Sequence, residues 1–317
     1  MNLLTCTAFT LSAIGASMTF AGPLDPPPGP IQPTMKTLTE VEPRTAINST
    51  NTPGDSDSAF RITESGSYYL AQNFSILGFL SDLHAIEIAA NNVTIDLNGF
   101  TLTGLSGTLN GIRTDGSGHH NIVIKNGTIQ SFLTGIALNG ADSTEITVED
   151  VSVLNCDTIG IAIRSGRVSD CIVKDSGGTG VIASSNSFVE TCTIENSGSD
   201  GINAGIGSII RDNIVRNNFN DGIRVASRCI IRDNLVSGNG LATGIKAGIQ
   251  IYGGDSLIQS NVVVGNEFGL RSSTVSIFAQ NIVSNNVIDI DISGANPGLA
   301  DQASSPNGAG AWDNIVP

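Results

Sequence analysis

The sequence predicts an all-β protein, a single-stranded parallel β-helix or solenoid of about ten coils. Three observations predict it: Ile and Val alternate with polar residues over short segments, a Gly-Ile unit recurs every 20 to 26 residues, and a second unit keeps the same spacing. Two short strands per repeat cannot bury a core alone. Stacking the repeats at the spacing of hydrogen-bonded strands, about 4.8 Å, buries their apolar side chains inside a rod.

The composition agrees with strands and excludes one class of partner. The chain has 317 residues, of which 37 are Gly and 14% are charged, and its formal net charge is −14. Abundant Gly, Ile and Val favour tight turns and strands over helices. Because an acidic chain repels phosphate backbones, we expect no nucleic acid partner.

The N-terminus has the pattern of an export signal over residues 1–21. Residues 3–20 carry no charge, and Thr19-Phe20-Ala21 suits cleavage after a small residue. No Lys or Arg precedes the apolar run, so a membrane anchor is the alternative. Thr and Ser dilute the run and no second apolar run of spanning length follows, which favours a cleaved signal. We therefore expect a secreted, periplasmic or cell-envelope protein without a membrane span in its mature chain.

The rest of the chain divides into four segments. Residues 22–58 are rich in Pro and predict a disordered linker, because Pro removes backbone donors that a sheet interior needs. Residues 59–83 predict an N-terminal strand region that caps the stack, which favours a monomer. Residues 84–293 hold the repeats, and residues 294–317 form a C-terminal tail that no motif places.

The glycine unit predicts the inside and the outside of the rod. Side chains alternate across a strand, so the Ile after each Gly and the residue two positions later face inward. The predicted inward stack is Ile112, Ile136, Ile161, Val181, Ile202, Ile223, Ile249 and Leu270, with Leu138, Ile163, Val225 and Ile251 beside it. The predicted outward column is Arg113, Ala137, Ala162, Ile182, Asn203, Arg224, Gln250 and Arg271.

The second unit predicts a ladder of Asn side chains at a corner of the coil. Segments such as SIIRDNIVRNN, CIIRDNLVSGN and SLIQSNVVVGN align without gaps and place Asn213, Asn234, Asn261 and Asn281 in one column. Stacked amides can hydrogen-bond along the rod. Cys171 and Cys192 precede them in that column, which indicates small corner residues, with an adventitious disulfide as the alternative.

These repeats resemble the right-handed parallel β-helix proteins of the pectate-lyase-like superfold. The segments before and within the first coils, including IEIAANNVTIDLNGFTLTG, closely resemble the N-terminal region of exported bacterial β-helix proteins. The resemblance covers about residues 30–293 and implies a right-handed helix and export. It implies little chemistry, because the superfold contains lyases, hydrolases and epimerases of polysaccharides, and the G-H-G turn of its hydrolases is absent here.

Asp200, Asp221 and Arg224 are the candidate catalytic residues. The two Asp residues precede the Gly in consecutive coils, so we expect them to stack, with Arg224 on the same outward face. Two close carboxylates beside a cation can serve as general acid and base on a glycosidic bond, or hold Ca²⁺. Asp before Gly is also a common turn residue that bonds to the backbone, and we favour that role.

Asn203, Gln250, Tyr252 and Arg271 are the candidate glycan-binding residues on the same face, where Tyr252 is the outward aromatic of the coils. Two further clusters have chemical alternatives. Asp115, His119 and His120 can bind a metal, although adjacent histidines in a Gly/Ser turn are more often solvated. Arg211 and Arg232 can clamp an anion, although a self-compensating surface pattern is the simpler interpretation.

The sequence therefore supports two functional hypotheses. The first, which we favour, is a rod that binds a polysaccharide or cell-surface glycan, or serves as a surface scaffold, without catalysis. The alternative is a polysaccharide lyase, epimerase or glycoside hydrolase acting on the outward face of the glycine-unit strands. We expect no cofactor and no resident metal, with Ca²⁺ as the one alternative.

Overall fold

The computed structural model describes residues 43–76, 83–105, 108–240, 244 and 246–292, together with two short strands in the tail. All regular elements in these ranges are β-strands, and they pair in parallel with the strands of neighbouring coils. The strands form three ladders that run along the rod. Each coil contributes a strand to the glycine sheet, then to the second sheet and then to the third, so the chain winds around one interior core.

The glycine sheet has eleven strands, one from each coil. Its strands are Ser58–Ile62, His84–Ile88, Asn110–Thr114, Thr134–Leu138, Ile159–Ile163, Val181–Ala183, Ile202–Ala204, Ile223–Val225, Ala247–Ile251, Phe268–Ser272 and Ile288–Ile292. The strands before and after the Gly-Ile series, His84–Ile88 and Ile288–Ile292, are degenerate copies of the same unit. The prediction of about ten stacked coils is confirmed.

The second and third sheets are joined where two long strands continue through the bend between them. The strands of the second sheet are Thr45–Ala46, Gly66–Tyr69, Val93–Asp96, Gly166–Ser169, Phe188–Glu190, Ile209–Arg211, Ile230–Arg232, Leu257–Gln259 and Ile277–Ala279. Those of the third sheet are Phe74–Ser75, Thr101–Thr103, Ile172–Lys174, Thr193–Glu195, Ile214–Arg216, Leu235–Ser237, Val262–Val264, Ile282–Ser284, Gln302–Ala303 and Asn314–Ile315. His120–Gln130 and Thr144–Leu154 belong to both.

Each regular coil therefore has three strands, where the sequence predicted two. The difference lies in the second unit, which bends in its middle. In the segment SIIRDNIVR, Ile209–Arg211 and Ile214–Arg216 are separate strands because Asp212 takes a left-handed conformation with φ of 58°. Asn213 lies at this corner. The hydrophobic pattern alone does not show the bend, since inward residues continue on both sides of it.

The predicted inward stacks are confirmed residue by residue. Ile202 pairs with Ile223, Ile223 with Ile249 and Ile249 with Leu270, and all four are fully buried. The second and third sheets add Val and Ile from their middle positions, such as Ile210 and Val215. The core is therefore one continuous apolar column along the rod axis.

The predicted Asn ladder is present and a second one accompanies it. In the first, Asn213 Nδ2 donates to Asn234 Oδ1 at 3.0 Å and Asn234 Nδ2 donates to Asn261 Oδ1 at 2.9 Å. The second ladder lies at the corner between the third sheet and the next glycine strand. Its members are Asn218, Asn239, Asn266 and Asn286, joined by the same amide contacts of 2.8 to 3.1 Å.

The second ladder explains why the repeat needs glycine. A Cβ at Gly222 would lie 2.8 Å from Asn239 Nδ2 and 2.7 Å from the Gly248 carbonyl. The same holds at Gly201 against Asn218 Nδ2, at 2.7 Å. In the coils that carry this ladder, the Asn amide thus fills the space that a side chain on the Gly would need.

Cys171 and Cys192 occupy the corner column as predicted, both buried and both free thiols. Cys192 occupies a position of the Asn ladder, since its backbone N–H donates to Asn213 Oδ1 at 3.0 Å. Burial and the neighbouring Cys171 raise the pKa of the Cys192 thiol well above its ordinary value, with the contact to Cys171 as the larger cause.

The first described coil begins inside the segment predicted as linker. Thr45 and Ala46 pair in parallel with Tyr68 and Tyr69 at the end of the second sheet. The predicted signal at 1–21, most of the linker and most of the tail lie outside the described residues. No helix long and apolar enough to cross a membrane occurs in the described ranges.

Candidate functional site

The outward column of the glycine sheet has polar ends and an apolar middle. In register along the rod it consists of Arg61, Glu87, Arg113, Ala137, Ala162, Ile182, Asn203, Arg224, Gln250, Arg271 and Asp291. Between Arg113 and Asn203 the column holds only small or aliphatic side chains. The charged residues therefore fall into two groups, one at each end of the rod.

The two candidate acids lie at the start of consecutive glycine strands and are buried. Asp200 is 3% exposed and Asp221 2%. Asp200 Oδ1 accepts a hydrogen bond from the backbone N–H of Asp221 at 3.3 Å, and Asp221 Oδ1 accepts one from Ala247 at 2.7 Å. Each carboxylate thus binds the backbone of the next coil, the role that the sequence analysis favoured for an Asp before Gly.

Burial raises the pKa of Asp221 to about 6. The nearby carboxylate of Asp200 raises it further, while the hydrogen bond from Ala247 and the charges of Lys246 and Arg224 oppose the shift. A carboxyl group that titrates close to neutral pH can both donate and accept a proton. Its low exposure limits which ligand atoms can reach it.

The second oxygen of Asp200 faces the outer surface. Oδ2 accepts a hydrogen bond from Asn203 Nδ2 at 3.3 Å and lies 3.6 Å from Arg224 Nη1. The Arg224 guanidinium lies over the ring of Tyr252, 4.3 Å from its centroid. Tyr252 is 50% exposed. The structure therefore brings together Asp200, Asn203, Arg224 and Tyr252 on one open face.

Gln250 does not present its amide to solvent. The residue is 2% exposed, and its Oε1 accepts a hydrogen bond from Arg271 Nη1 at 2.9 Å. Its Nε2 donates to the backbone carbonyl of Ile251 at 3.2 Å. Arg271 is itself paired with Asp291 at 2.9 Å. A ligand would reach Gln250 only after displacing Arg271, because the Arg271 guanidinium holds the amide oxygen of this buried residue.

The other end of the column is a cluster that the sequence analysis did not identify. Glu87 is 1% exposed, and Arg113 Nε donates to its carboxylate at 2.8 Å. Arg61 lies 3.3 Å from Glu87 on the other side. Asp55 and Asp57 complete the cluster, paired with Arg61 and Arg113 respectively. The segment HAIEI was the signal, since aligning it with NGIRT places Glu87 beside Arg113.

Asp55, Asp57 and Glu87 lie close enough to share a metal ion, with ligand atoms within 4.8 Å of one another. The two arginines compete with a cation for the same three carboxylates and neutralise most of their charge. Ca²⁺ on the outward face stays the alternative to the prediction of no resident metal.

The two other clusters that the sequence analysis singled out make contacts with neighbouring polar groups. His119 Nε2 lies 2.9 Å from Asp115 Oδ1, and His119 Nδ1 lies 3.2 Å from Asn91 Oδ1. His120 is exposed and its backbone N–H donates to Asn91. On the second sheet, Arg211 Nε donates to the buried carboxylate of Glu190 at 2.6 Å.

Arg232 pairs with the adjacent Asp233 at 2.8 Å. In both arginine positions an acidic neighbour therefore balances the guanidinium.

Comparison with known proteins identifies the fold family. The family model for the right-handed β-helix region matches residues 110–268. No curated protein matches the sequence. The A-module of the mannuronan C-5 epimerase AlgE6 from Azotobacter vinelandii superposes with a TM-score of 0.59 at 13% identity, over 82% of this chain and 75% of that one.

Two further solved structures are similar. The A-module of the mannuronan C-5 epimerase AlgE4 from the same organism has a TM-score of 0.52 at 16% identity, over 80% of this chain and 87% of that one. A double mutant of the periplasmic alginate epimerase AlgG has a TM-score of 0.52 at 11% identity, over 85% of this chain and 80% of that one. At these identities the likeness concerns the fold. Since the family model covers half of the sequence and the coils are those of its fold, the chain belongs to the right-handed β-helix family.

Proposed function

We propose that this protein is an exported β-helix rod that binds an anionic polysaccharide on the outward face of its glycine sheet, without catalysis. The observation that carries the proposal is the contact between Arg224 and Tyr252. The exposed ring offers a stacking platform, and the guanidinium beside it offers paired donors for a carboxylate. Because the overall charge of −14 repels a polyanion at long range, binding would depend on this local pair of a cation and an aromatic ring.

Two considerations support the substrate class. The solved structures with similar folds act on mannuronan or alginate, which are acidic polysaccharides. Between Arg113 and Asn203 the outward column carries only Ala137, Ala162 and Ile182, and the coil spacing of about 4.8 Å is close to the length of one sugar unit. A chain lying along this column would bring successive sugar units past Arg224.

Binding can be tested with polygalacturonate and mannuronan, with dextran as the neutral control. We expect both acidic polymers to bind the mature protein and Arg224→Ala to weaken that binding about tenfold, the loss of one charge-assisted contact. Arg216→Ala on the third sheet is the matched control, since it removes one exposed arginine from another face. Equal binding by Arg224→Ala and the unmodified protein would remove the proposed face.

Catalysis at the same face is the second candidate, and the raised pKa of Asp221 favours it. A carboxyl group with a pKa of about 6 suits proton transfer at a sugar carbon or a glycosidic oxygen. Incubation with polyuronates, read out as unsaturated ends, reducing ends or changed uronate stereochemistry, tests it. Product formed by the unmodified protein and lost in Asp221→Asn would establish an enzyme. If no polymer yields a product, the proposal of a rod that binds without catalysis stands.

Export, and a monomeric state, belong to the same proposal. Expression of the full chain in a bacterial host, followed by N-terminal sequencing of the protein from the periplasm or medium, tests the first. We expect cleavage after Ala21. Light scattering over rising protein concentration tests the second.

A further inference from the structure

A polar notch lies beside the glycine sheet, at the turns that lead into the second sheet. It is lined by residues 142–144, 164–165 and 184–186, and it encloses a cavity of about 380 Å³. These three segments are the turns of three successive coils. The notch is separate from the face around Arg224, which lies two coils further along the rod.

The notch results from a change in turn length. The turn after Thr134–Leu138 has five residues before Thr144–Leu154 begins. The next coil turns in only two residues, Arg164 and Ser165, between Ile159–Ile163 and Gly166–Ser169. The following turn is longer again, with four residues, 184–187. A short turn between two longer ones leaves a gap whose floor is Arg164 and Ser165.

Gly166 makes the short turn feasible. Its φ is 150°, and a Cβ at this position would collide with the Ile146 carbonyl of the preceding coil. The backbone of this coil therefore presses against its neighbour at the very point where the notch opens. The gap is set by the path of the main chain, so side-chain motion alone does not close it.

The lining is rich in hydroxyl groups and has no net charge. Arg164 and Asp142 are its two charged residues, and the others are serines, Thr144 and Asn186. Arg164 is exposed, and within the described residues neither an ion pair nor a hydrogen bond engages its guanidinium. The same holds for the carboxylate of Asp142. This differs from Arg113, Arg211 and Arg271 on the other faces, each of which is paired.

We infer that the notch is a second binding site, for one neutral sugar unit. A neutral ligand fits because the lining itself is neutral overall. A sugar has adjacent hydroxyl groups that both accept and donate, so it can take the Arg164 donors on one side and the Asp142 acceptors on the other. The cavity volume lies near the lower end of the range for small-molecule sites, which suits a ligand of this size.

The expected affinity is low. The lining contains no aromatic side chain on which a sugar ring could stack. Polar contacts in an open notch compete with water, so we expect dissociation constants of about 1 to 10 mM. The site is independent of the proposed polyuronate face, and either can exist without the other.

Titration of the mature protein with the methyl glycosides of glucose, galactose and mannose, followed by NMR, tests the inference. At least one glycoside should bind, and Arg164→Ala should weaken it about fivefold or more. Ser185→Phe, which places a ring in the notch, should also abolish binding. Arg228→Ala is the matched control, since it removes an exposed arginine from the corresponding turn three coils away.

The variant Arg224→Ala separates the two sites. It should bind the glycoside as the unmodified protein does while losing affinity for polygalacturonate. The inference is overturned if none of the three glycosides binds at about 50 mM, well above the expected dissociation constant. It is also overturned if galacturonate binds more tightly than all three, or if Arg164→Ala and Ser185→Phe bind as the unmodified protein does.

Discussion

The carboxylate of Asp221 accepts a 2.7 Å hydrogen bond from the backbone N–H of Ala247, the first residue of the glycine strand in the next coil. Asp200 makes the equivalent contact to Asp221 one coil earlier. At the start of the glycine strands, the two Asp side chains thus bind the backbone of the next coil, as the Asn side chains of the ladders do at the corners. They differ from Asn in carrying a charge that burial disfavours, and this difference has a measurable consequence.

Stability should fall with rising pH in the range where Asp221 ionises. Its pKa is raised from 3.8 to about 6 on folding, so the folded protein holds this proton more tightly than the unfolded chain. The stabilising contribution is complete below pH 3.8 and is lost as the pH rises through about 6.

Asp221→Asn should remove this dependence, because the amide keeps an acceptor for Ala247 without a charge. Relative to the unmodified protein, its free energy of unfolding should gain about 2 kcal/mol between pH 4 and pH 7. Urea unfolding across that range, followed by circular dichroism, measures the gain. The exposed Asp233→Asn serves as control, and parallel curves for Asp221→Asn and the unmodified protein would contradict the assigned role.

Removing one rung of the first Asn ladder should destabilise the rod strongly. In Asn234→Ala the backbone N–H and side-chain amide of Asn213 lose their shared acceptor, and the buried carbonyl of Ile210 loses its donor. We expect a loss of about 2–4 kcal/mol in urea unfolding. Asn220→Ala, which breaks one half-buried contact to Ser199, should cost less than about 1 kcal/mol. Similar losses in the two variants would show that the ladder is not cooperative.

The repeated glycine should not tolerate even a methyl group. Gly222→Ala places a Cβ within 2.8 Å of the Gly248 carbonyl, Val236 and Asn239. Because two of these contacts involve buried groups fixed by the ladder and the next coil, we expect a loss of about 3 kcal/mol or more.

Gly254→Ala is the comparison, since its nearest contact is the Val275 carbonyl at 3.2 Å. Thermal unfolding of the two variants measures the difference. A Gly222→Ala protein as stable as Gly254→Ala would mean that the coils can move apart at this position.

Polyuronate binding should depend on both the ring and the charge of the outward face. Tyr252→Ala should weaken binding to polygalacturonate about fivefold to tenfold, since the sugar loses its platform and Arg224 loses the contact that orients it. Tyr252→Phe should retain most of the affinity, because the ring is kept. Affinity electrophoresis with embedded polymer gives both values.

Salt separates the two contributions. Raising the ionic strength from about 0.05 to 0.5 M should narrow the difference in affinity between the unmodified protein and Arg224→Ala, since screening weakens the ion pair that only the unmodified protein makes. If the affinity for the polysaccharide changes neither with salt nor in Tyr252→Ala, the polysaccharide binds elsewhere on the rod.

The sequence by itself determined the coil, its register and its inward stacks. Period-two alternation and the spacing of the Gly-Ile unit are local properties, and they place Ile202, Ile223 and Ile249 in one file without further information. They also placed Asn203, Arg224 and Arg271 in the outward column. Stacking of identical units converts a distance along the chain into a position along the rod, so columns can be read from aligned repeats.

Tertiary structure decided what each outward side chain does. Whether a long outward side chain is buried or exposed depends on its neighbours in the adjacent coils, which is why Gln250 is buried under Arg271 while Tyr252 is exposed. The third strand of each coil depends on a left-handed residue at the bend, which period-two alternation does not reveal. The notch depends on the difference between three turn lengths, and a turn acquires a ligand-sized gap only when the neighbouring coils are stacked on it.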